Sequence, residues 1–258
     1  MTNLYVDERR LLDVWREVSA LSRPDKEVAL LAAVTEQLPE QCARLPIGER
    51  DRRLMLLHER TFGGRYDCET RCTSCGMHMA FSFVAGDLSL QPAVVDAESL
   101  TLTEGRIVVK LHLPTSADLS ASLSHAHPAA ALFARCVKVQ SSPTHTVAQM
   151  RTADLPVSLR QSAIERLAAL DLHADLMFEL ECPSCEHDNK VMFDPVVALF
   201  SQAAQFLPVV SLRRVSRGTS KGGVSVQSSP GSSIGDFLER LVRRHLVDAV
   251  VHPLHNPA

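Results

Sequence analysis

The sequence has no segment that would place the chain in or across a membrane. No stretch approaches the eighteen or so consecutive apolar residues of a membrane span. The first ten residues, MTNLYVDERR, carry charges where a signal peptide has its apolar core. We therefore expect a cytoplasmic protein. At 258 residues and 45% hydrophobic content, the chain is long enough to bury a sizeable core.

Signatures of catalysis are also missing. The sequence shows no Ser/His/Asp spacing of a hydrolase, no glycine-rich phosphate-binding loop and no paired carboxylates in a recognisable frame. The one Gly-Gly pair of the tail lies among serines and has the chemistry of a linker. We therefore expect that the protein is not an enzyme.

The chain has no overall excess of basic residues. Its formal net charge is −3, but residues 211–258 hold 7 Lys/Arg against 3 Asp/Glu, which leaves 20 against 27 in residues 1–210. A body with this acidic excess argues against a dedicated nucleic-acid groove, because neutralisation of phosphates supplies most of the affinity of such proteins. The basic tail is suited to anionic partners.

Four of the seven cysteines form two close pairs, Cys72/Cys75 and Cys182/Cys185. A Cys-x-x-Cys turn, or knuckle, directs two thiolates to one ion, and two such turns complete the closed tetrahedral shell of a structural zinc site. Gly76, which follows the first pair, suits the left-handed backbone that a knuckle often needs at this position. The sequence therefore predicts one structural zinc ion held by these four cysteines.

The separation of the two pairs requires a large insertion. There are 106 residues between Cys75 and Cys182, but loop-closure entropy grows only logarithmically with length, and inserted elements offset their own ordering cost by folding. Two separate redox pairs would need a thioredoxin-like βαβ context that neither knuckle has. Fe–S ligation is a further alternative. Nearby side chains that could replace a ligand are Cys68, His78 and His187.

The N-terminal third of the chain is predicted to be helical. Residues 7–20 place apolar side chains at helical spacing, a second helix follows from Ser22, and a third covers about 48–61. These helices form a unit over residues 1–64, in which Trp15 is the candidate contact for a partner protein. The alternative is that Trp15 is an ordinary core residue.

Strands are predicted around both knuckles. Each knuckle lies between two short runs of alternating apolar and polar residues, as in a zinc ribbon, within a domain of residues 65–206. An insertion over 87–174 contains a β-hairpin at 101–113 and helical patterns at 118–139 and 159–170. The expected fold class is α+β, with a helical unit and small antiparallel strands around a split four-cysteine zinc-ribbon-like site that carries a large α/β insertion.

The remaining residues are predicted to form a linker and a helix. Residues 207–233 become Gly/Ser-rich and should be a flexible linker, and residues 234–258 contain an amphipathic helix. The candidate partner-binding side chains of this helix are Phe237, Leu238, Leu241 and Val242. Two destinations stay open for it: the surface of a partner protein, or this chain's own acidic body, which would attract its arginines.

Several short phrases occur in order through most of residues 8–200. They are Trp15 in a Leu-rich first helix, 45–51 (LPIGERD), Leu54, Leu57, Glu59-Arg60, Phe62-Gly63, Cys72-x-x-Cys75-Gly76, 113–119 (LPTSADL), 135–137 (RCV) and Cys182-Pro183-x-Cys185. In this order they resemble a family encoded in the tail-gene clusters of phages and phage-like contractile injection systems. The chain is similar to the T-even-type baseplate hub assembly chaperone family.

The chain departs from that family's pattern at two places. Glu186 follows the second knuckle where such proteins usually carry Gly. The residues beyond about 205 also differ from the long final helices of the family, so the resemblance assigns no role to the tail.

The resemblance implies a cytoplasmic factor that acts with the baseplate or hub during tail assembly, and it leaves open whether the protein stays in the finished particle. We therefore expect a non-enzymatic, zinc-stabilised assembly protein that binds other tail proteins. The residues themselves also allow a zinc-ribbon protein that binds nucleic acid, through Arg213, Arg214, Arg217 and Lys221. The acidic body weakens that alternative. A zinc hydrolase needs an open coordination position, which four convergent thiolates do not leave.

Overall fold

The computed structural model describes residues 13–14, 16–18, 21, 23–88, 90–92, 95–140, 150–205, 224–227, 236–246 and 252–253. Its named helices are α1 (Arg23–Thr35), α2 (Pro39–Ala43), α3 (Ile47–Phe62), α4 (Ser116–Leu123), α5 (Pro128–Cys136), α6 (Val157–Leu170), α7 (Pro195–Gln205) and α8 (Asp236–Leu246). Its strands are β1 (Arg65–Arg71), β2 (His78–Val84), β3 (Thr101–Glu104), β4 (Ile107–Leu111), β5 (Val137–Gln140), β6 (Met177–Glu181), β7 (Asp188–Met192), β8 (Val224–Gln227) and β9 (His252–Pro253). The mixture of helices and small antiparallel sheets confirms the predicted α+β class. None of the helices in these ranges has the length and apolar content needed to cross a bilayer.

Helix α3 packs against α1 and α7. Its inward-facing side chains, Leu54, Met55 and Leu57, are fully buried, as their spacing predicts. Leu54 and Leu57 pack in one apolar cluster with residues of α1 and with Val196 and Leu199 of α7. Because α7 follows the last strand of the second hairpin, this cluster joins the N-terminal helices to the end of the zinc-ribbon-like part.

Both knuckles lie at the tip of an antiparallel hairpin. In the first hairpin, β1 pairs with β2 from Arg65 opposite Val84 to Arg71 opposite His78. In the second, β6 pairs with β7 over a matching register. Each hairpin gains a third strand from the tail, since β9 pairs with β1 and β8 pairs with β6. The predicted arrangement of strand, knuckle and strand is therefore present twice.

A column of aromatic rings joins α3 to the two hairpins. His58 of α3 stacks on Tyr66 of β1 with ring centroids 4.1 Å apart, and Tyr66 stacks on Phe83 of β2 at 4.8 Å. Phe83 in turn contacts Phe178 of β6 at 4.6 Å and Phe193 beside β7 at 5.0 Å. The alternating strands supply these rings because every second side chain faces the interior. This apolar column holds the hairpins together below the knuckles.

The insertion forms its own sheet and core, and one predicted helical segment in it is interrupted and ends in a strand. The pattern over 118–139 predicted a single helical segment, whereas the structure has α4, then α5, then strand β5. Pro128 begins a new helix because proline disfavours the helical backbone at the residue before it, and His127 there has φ −126° and ψ 79°. The β-branched Val137 and Val139 pair instead with β4.

The described parts of the tail contact the body at three places. Strand β8 lies on the second hairpin, helix α8 packs into the core of the insertion, and strand β9 lies on the first hairpin. Most of the predicted linker at 207–233 lies outside the described residues. Within it, Val224–Gln227 forms a strand.

Candidate metal centre

The two knuckles have the same backbone hydrogen bonds. In the first, the N–H of Cys72 donates to the carbonyl of Met77 at 2.8 Å, and the N–H of Gly76 donates to the carbonyl of Cys72 at 2.9 Å. In the second, Cys182 N–H donates to the His187 carbonyl at 3.0 Å, and the Glu186 N–H donates to the Cys182 carbonyl at 2.9 Å. Equivalent positions are 110 residues apart. The chain therefore builds one local structure twice.

The backbone turns in the same way after each knuckle. Gly76 has φ 74°, as its position behind the cysteines predicts, and Glu186 has φ 56° at the equivalent position. This left-handed region costs glycine little but costs other residues about 1 to 2 kcal/mol. The Glu that departs from the family pattern therefore occupies a position where the backbone favours Gly.

The structure brings all four predicted cysteines to one place. The sulfur atoms of Cys72 and Cys185 are 3.6 Å apart, as are those of Cys75 and Cys182. A tetrahedral zinc ion bound at about 2.3 Å by four sulfurs would set them about 3.8 Å apart. Cys72 and Cys182 are buried and the other two are exposed. The cluster is thus compatible with a metal site, and among common ions four thiolates favour zinc.

The thiols of Cys72 and Cys185 differ in acidity. The pKa of Cys72 falls to about 6, chiefly because the backbone N–H of Cys75 donates to its sulfur. For Cys185, the backbone N–H of His187 lowers the pKa, but the neighbouring thiols and burial raise it more, to about 12. Each ionised sulfur makes the next ionisation harder. A divalent cation between the sulfurs would remove this repulsion and keep all four as thiolates.

Asn189 joins the two knuckles and was not predicted from the sequence. Its side-chain oxygen accepts from Thr73 at 2.8 Å to the backbone nitrogen and at 3.0 Å to the hydroxyl. Its amide nitrogen lies 2.9 Å from the carbonyl oxygen of His187 and 3.6 Å from the sulfur of Cys72. The sequence feature that could have revealed it is the 110-residue repeat of the knuckles, because Asn189 is the repeat equivalent of Met79, which is buried. A polar side chain at a buried position is expected to form hydrogen bonds.

None of the three suggested substitutes belongs to the sulfur cluster. Cys68 is buried in strand β1, where burial raises its pKa to about 12. His78 lies at the start of β2 and is 3.1 Å from a carboxylate oxygen of Glu69. His187 contributes its backbone carbonyl to the second knuckle.

A second group, His112, Asp118 and Cys136, also brings potential metal ligands together. Asp118 is already engaged, since His112 and the hydroxyl of Thr115 bond its Oδ2 at 3.1 and 2.6 Å and Arg135 bonds its Oδ1 at 3.2 Å. Burial alone would raise the pKa of Asp118, but the hydrogen bonds with His112 and Thr115 hold it well below its usual range. Burial raises the pKa of the Cys136 thiol. The group therefore caps helix α4 and holds it against α5.

The sequence-predicted partner-binding residues of α8 lie inside the chain's own core in this structure. Phe237, Leu238, Leu241 and Val242 are all buried in the apolar cluster of the insertion. Of the two destinations left open by the sequence, the helix occupies the one on its own body. Trp15, the other candidate, lies outside the described residues.

Helix α8 also places two basic side chains among buried acids. Arg244 pairs with Asp51, and the ring nitrogen Nε2 of His245 lies 3.1 Å from Glu27. Arg50 of α3 forms ion pairs with both Glu27 and Asp51. These side chains are buried, and charges that are buried away from water must be paired. The sequence suggested only a general attraction between the basic tail and the acidic body, and this specific network was missed.

Comparison with known proteins identifies one family. The model of a family described as T4 bacteriophage base plate protein matches residues 4–201. Searches of curated proteins and of solved structures found no match. The family match includes both knuckles and the insertion between them.

Proposed function

Because the chain belongs to the family of T4 bacteriophage base plate proteins, we propose that it is a non-enzymatic, zinc-stabilised assembly protein of a phage-like contractile tail or injection system. In this role it binds other tail or baseplate proteins, in the cytoplasm where tails are built. The single observation that carries the proposal is the family match over residues 4–201.

The geometry of the cysteine cluster supports a structural role for a bound zinc ion. Two knuckles that are 106 residues apart in sequence meet with sulfur–sulfur distances of 3.6 Å. A cross-link that closes a loop of about 100 residues stabilises a fold by about 4 to 5 kcal/mol in the loop-entropy account of disulfides. A zinc ion at this position would act in the same way, because it would join two hairpins that are otherwise held by apolar packing and by the hydrogen bonds between Thr73 and Asn189.

The four-sulfur arrangement also supports a role without catalysis. Catalytic zinc sites keep one coordination position for water, whereas four thiolates fill the tetrahedral shell. The functional surfaces of the protein are then those that contact other tail proteins. Two of its candidates for such contacts, Phe237 and Leu241, are buried here, so we propose that partners bind the outer surface of the folded body.

Reconstitution of tail assembly tests the proposal. The tagged protein is co-expressed with its tail-gene cluster, and co-purifying proteins and assembled tails are counted by mass spectrometry and electron microscopy. We expect baseplate proteins in the eluate, and loss of assembled tails when the gene is deleted. Normal tails in the deletion strain, with no tail protein captured, would rule the function out.

Two cysteine variants test whether the function depends on zinc. Cys72→Ser should abolish assembly together with zinc binding, whereas Cys42→Ala, which alters a buried cysteine of α2 outside the cluster, should preserve both. The residues that suggested a nucleic-acid-binding protein, Arg213 to Lys221, lie outside the described part of the chain. Salt-sensitive binding to DNA by the purified protein would favour that alternative.

A further inference from the structure

We infer that Asn189 is a positioning residue of the metal centre: it clasps the first knuckle to the second hairpin and donates a hydrogen bond to the Cys72 thiolate. The inference rests on the proposed zinc site. It adds a residue outside the four cysteines and makes the two halves of the site unequal. Its support is the geometry around one buried side chain.

The orientation of the Asn189 amide is fixed by its partners. The backbone N–H of Thr73 lies 2.8 Å from Oδ1 and can only donate, so this atom must be the oxygen. The opposite atom is then the NH2 group, which has two hydrogens to give. One reaches the His187 carbonyl at 2.9 Å. For the other there are two acceptors, since the amide nitrogen lies 3.4 Å from the Leu180 carbonyl oxygen and 3.6 Å from the Cys72 sulfur.

The charge on the Cys72 sulfur decides which of these two acceptors binds the second hydrogen more strongly. A thiolate is a stronger acceptor than a neutral thiol, and hydrogen bonds to charged groups are roughly twice as strong as neutral ones. Asn189 is only 1% exposed, so no water competes for the hydrogen. With Cys72 as a thiolate ligand, the sulfur is the stronger of the two acceptors for the second amide hydrogen.

The clasp exists on one side only. The repeat places Met79 at the position equivalent to Asn189, and a methionine side chain has no hydrogen to donate. Met79 is buried with apolar neighbours in the hairpin core. The first knuckle is therefore tied to the second hairpin through Thr73 and Cys72, and the second knuckle has no matching tie from residue 79.

Metal affinity is the first measurement. Asn189→Asp keeps the shape of the side chain and its acceptor for Thr73, but it removes the donor and adds a negative charge beside the sulfur. Asn189→Met copies the residue found in the other half of the repeat. We expect both variants to bind zinc about 10 to 100-fold more weakly in a chelator competition, the usual cost of removing a partner of a metal ligand.

A spectroscopic measurement separates positioning from general destabilisation. With Co2+ in place of zinc, loss of a hydrogen bond to a thiolate should move the sulfur-to-metal charge-transfer band to longer wavelength. Val191→Ala is the matched control, because Val191 is a buried residue of the same strand that belongs to the apolar core. It should lower the melting temperature and leave the Co2+ band in place.

The outcomes distinguish the inference from the function on which it rests. A wild-type chain that takes up no zinc or Co2+ would overturn both. A wild-type chain that binds the metal, with Asn189→Asp and Asn189→Met of equal affinity and unshifted band, would overturn the clasp alone. Weakened binding with a shifted band in both variants, and an unshifted band in Val191→Ala, would establish it.

Discussion

Arg244 of helix α8 forms an ion pair with Asp51 of helix α3, although 193 residues separate them in the sequence. Both side chains are buried, and Arg244 also donates to the backbone carbonyl of Ala174 at 3.0 Å. One guanidinium thus holds the tail helix to the N-terminal helices and to the insertion.

Removal of this guanidinium should be costly. Arg244→Met keeps most of the apolar stem but leaves Asp51 buried with less positive charge, and breaking a buried ion pair in this way costs about 3 to 5 kcal/mol. The free energy of unfolding, from urea titration of the zinc-loaded protein, measures the loss. Arg243→Met is the control, because that side chain is 74% exposed and exposed sites change stability by less than about 0.5 kcal/mol. Equal values for the two variants would contradict the proposed importance of the buried pair.

Deletion of residues 216–258 should destabilise the body. Phe237, Leu238 and Leu241 are buried in the core of the insertion, so their loss exposes the apolar surface that they cover. We expect a clearly lower melting temperature and binding of a hydrophobic dye. An unchanged melting temperature together with failed tail assembly would instead favour a helix that docks on a partner.

The purified protein should contain about one zinc ion per chain. Cys72→Ser and Cys182→Ser should each lose it, because three thiolates bind the ion far less tightly than four and each variant removes one buried ligand. Metal analysis by mass spectrometry, on protein prepared under reducing conditions, gives the stoichiometry. Cys42→Ala should retain the ion. Absence of zinc from freshly reduced wild-type protein would refute the metal site.

The two knuckles should respond oppositely to exchange at their left-handed positions. Gly76→Ala should destabilise the zinc-loaded protein by about 1 kcal/mol, from the backbone conformation alone, since among the described residues only Gly76 itself and its two chain neighbours could lie within 4 Å of the added carbon. Glu186→Gly relieves the same strain, offset by the greater freedom of glycine in the unfolded chain, and should change stability by less than about 1 kcal/mol in the favourable direction. Thermal unfolding of both variants checks the pair. A more stable Gly76→Ala variant would show that the position is not strained.

Stability should fall in acid through His58. Burial lowers the pKa of this histidine from 6.5 to about 4, so the unfolded chain takes up the proton first as the pH falls. The contribution of neutral His58 to the free energy of unfolding is therefore complete above pH 6.5 and declines toward pH 4. At pH 5 the loss is about 2 kcal/mol. His58→Phe keeps a ring against Tyr66 without a titrating group. The difference between wild type and this variant, in urea titrations at pH 7 and pH 5, isolates the effect; a difference independent of pH would disprove it.

Local features of the structure could be predicted from the sequence. The knuckles, their hairpins and the buried face of α3 each depend on spacing within a few residues, and the pattern of apolar residues specifies that spacing. The destination of α8 could not be chosen in the same way. Its apolar face needs a cover, and although the acidic body favours folding back, the sequence leaves both a partner and the chain itself open as that cover.

Features that depend on distant pairs were missed. Asn189 contacts Thr73 across 116 residues, and no periodicity relates the two. Arg244 was one of several arginines in a basic tail, and only the fold shows that it reaches Asp51. The helical prediction over 118–139 was wrong at its end for a related reason, because Val137 and Val139 form a strand that pairs with β4.

The 110-residue repeat of the knuckles also sets an order for events on the ribosome. Cys72 and Cys75 leave the ribosome long before Cys182 and Cys185 exist, and at about 5 to 20 residues per second the interval is on the order of 5 to 20 seconds. During that interval the first knuckle holds two thiols with no second pair to complete a shell. The interval is longer for the ion pair between Asp51 and Arg244, which forms only after Arg244 has been synthesised; until then Arg50 is the basic partner of Asp51. Maturation of this protein is therefore tied to the late steps of its translation, and a stalled chain would display an open half-site and an unbalanced acidic pocket to the rest of the cell.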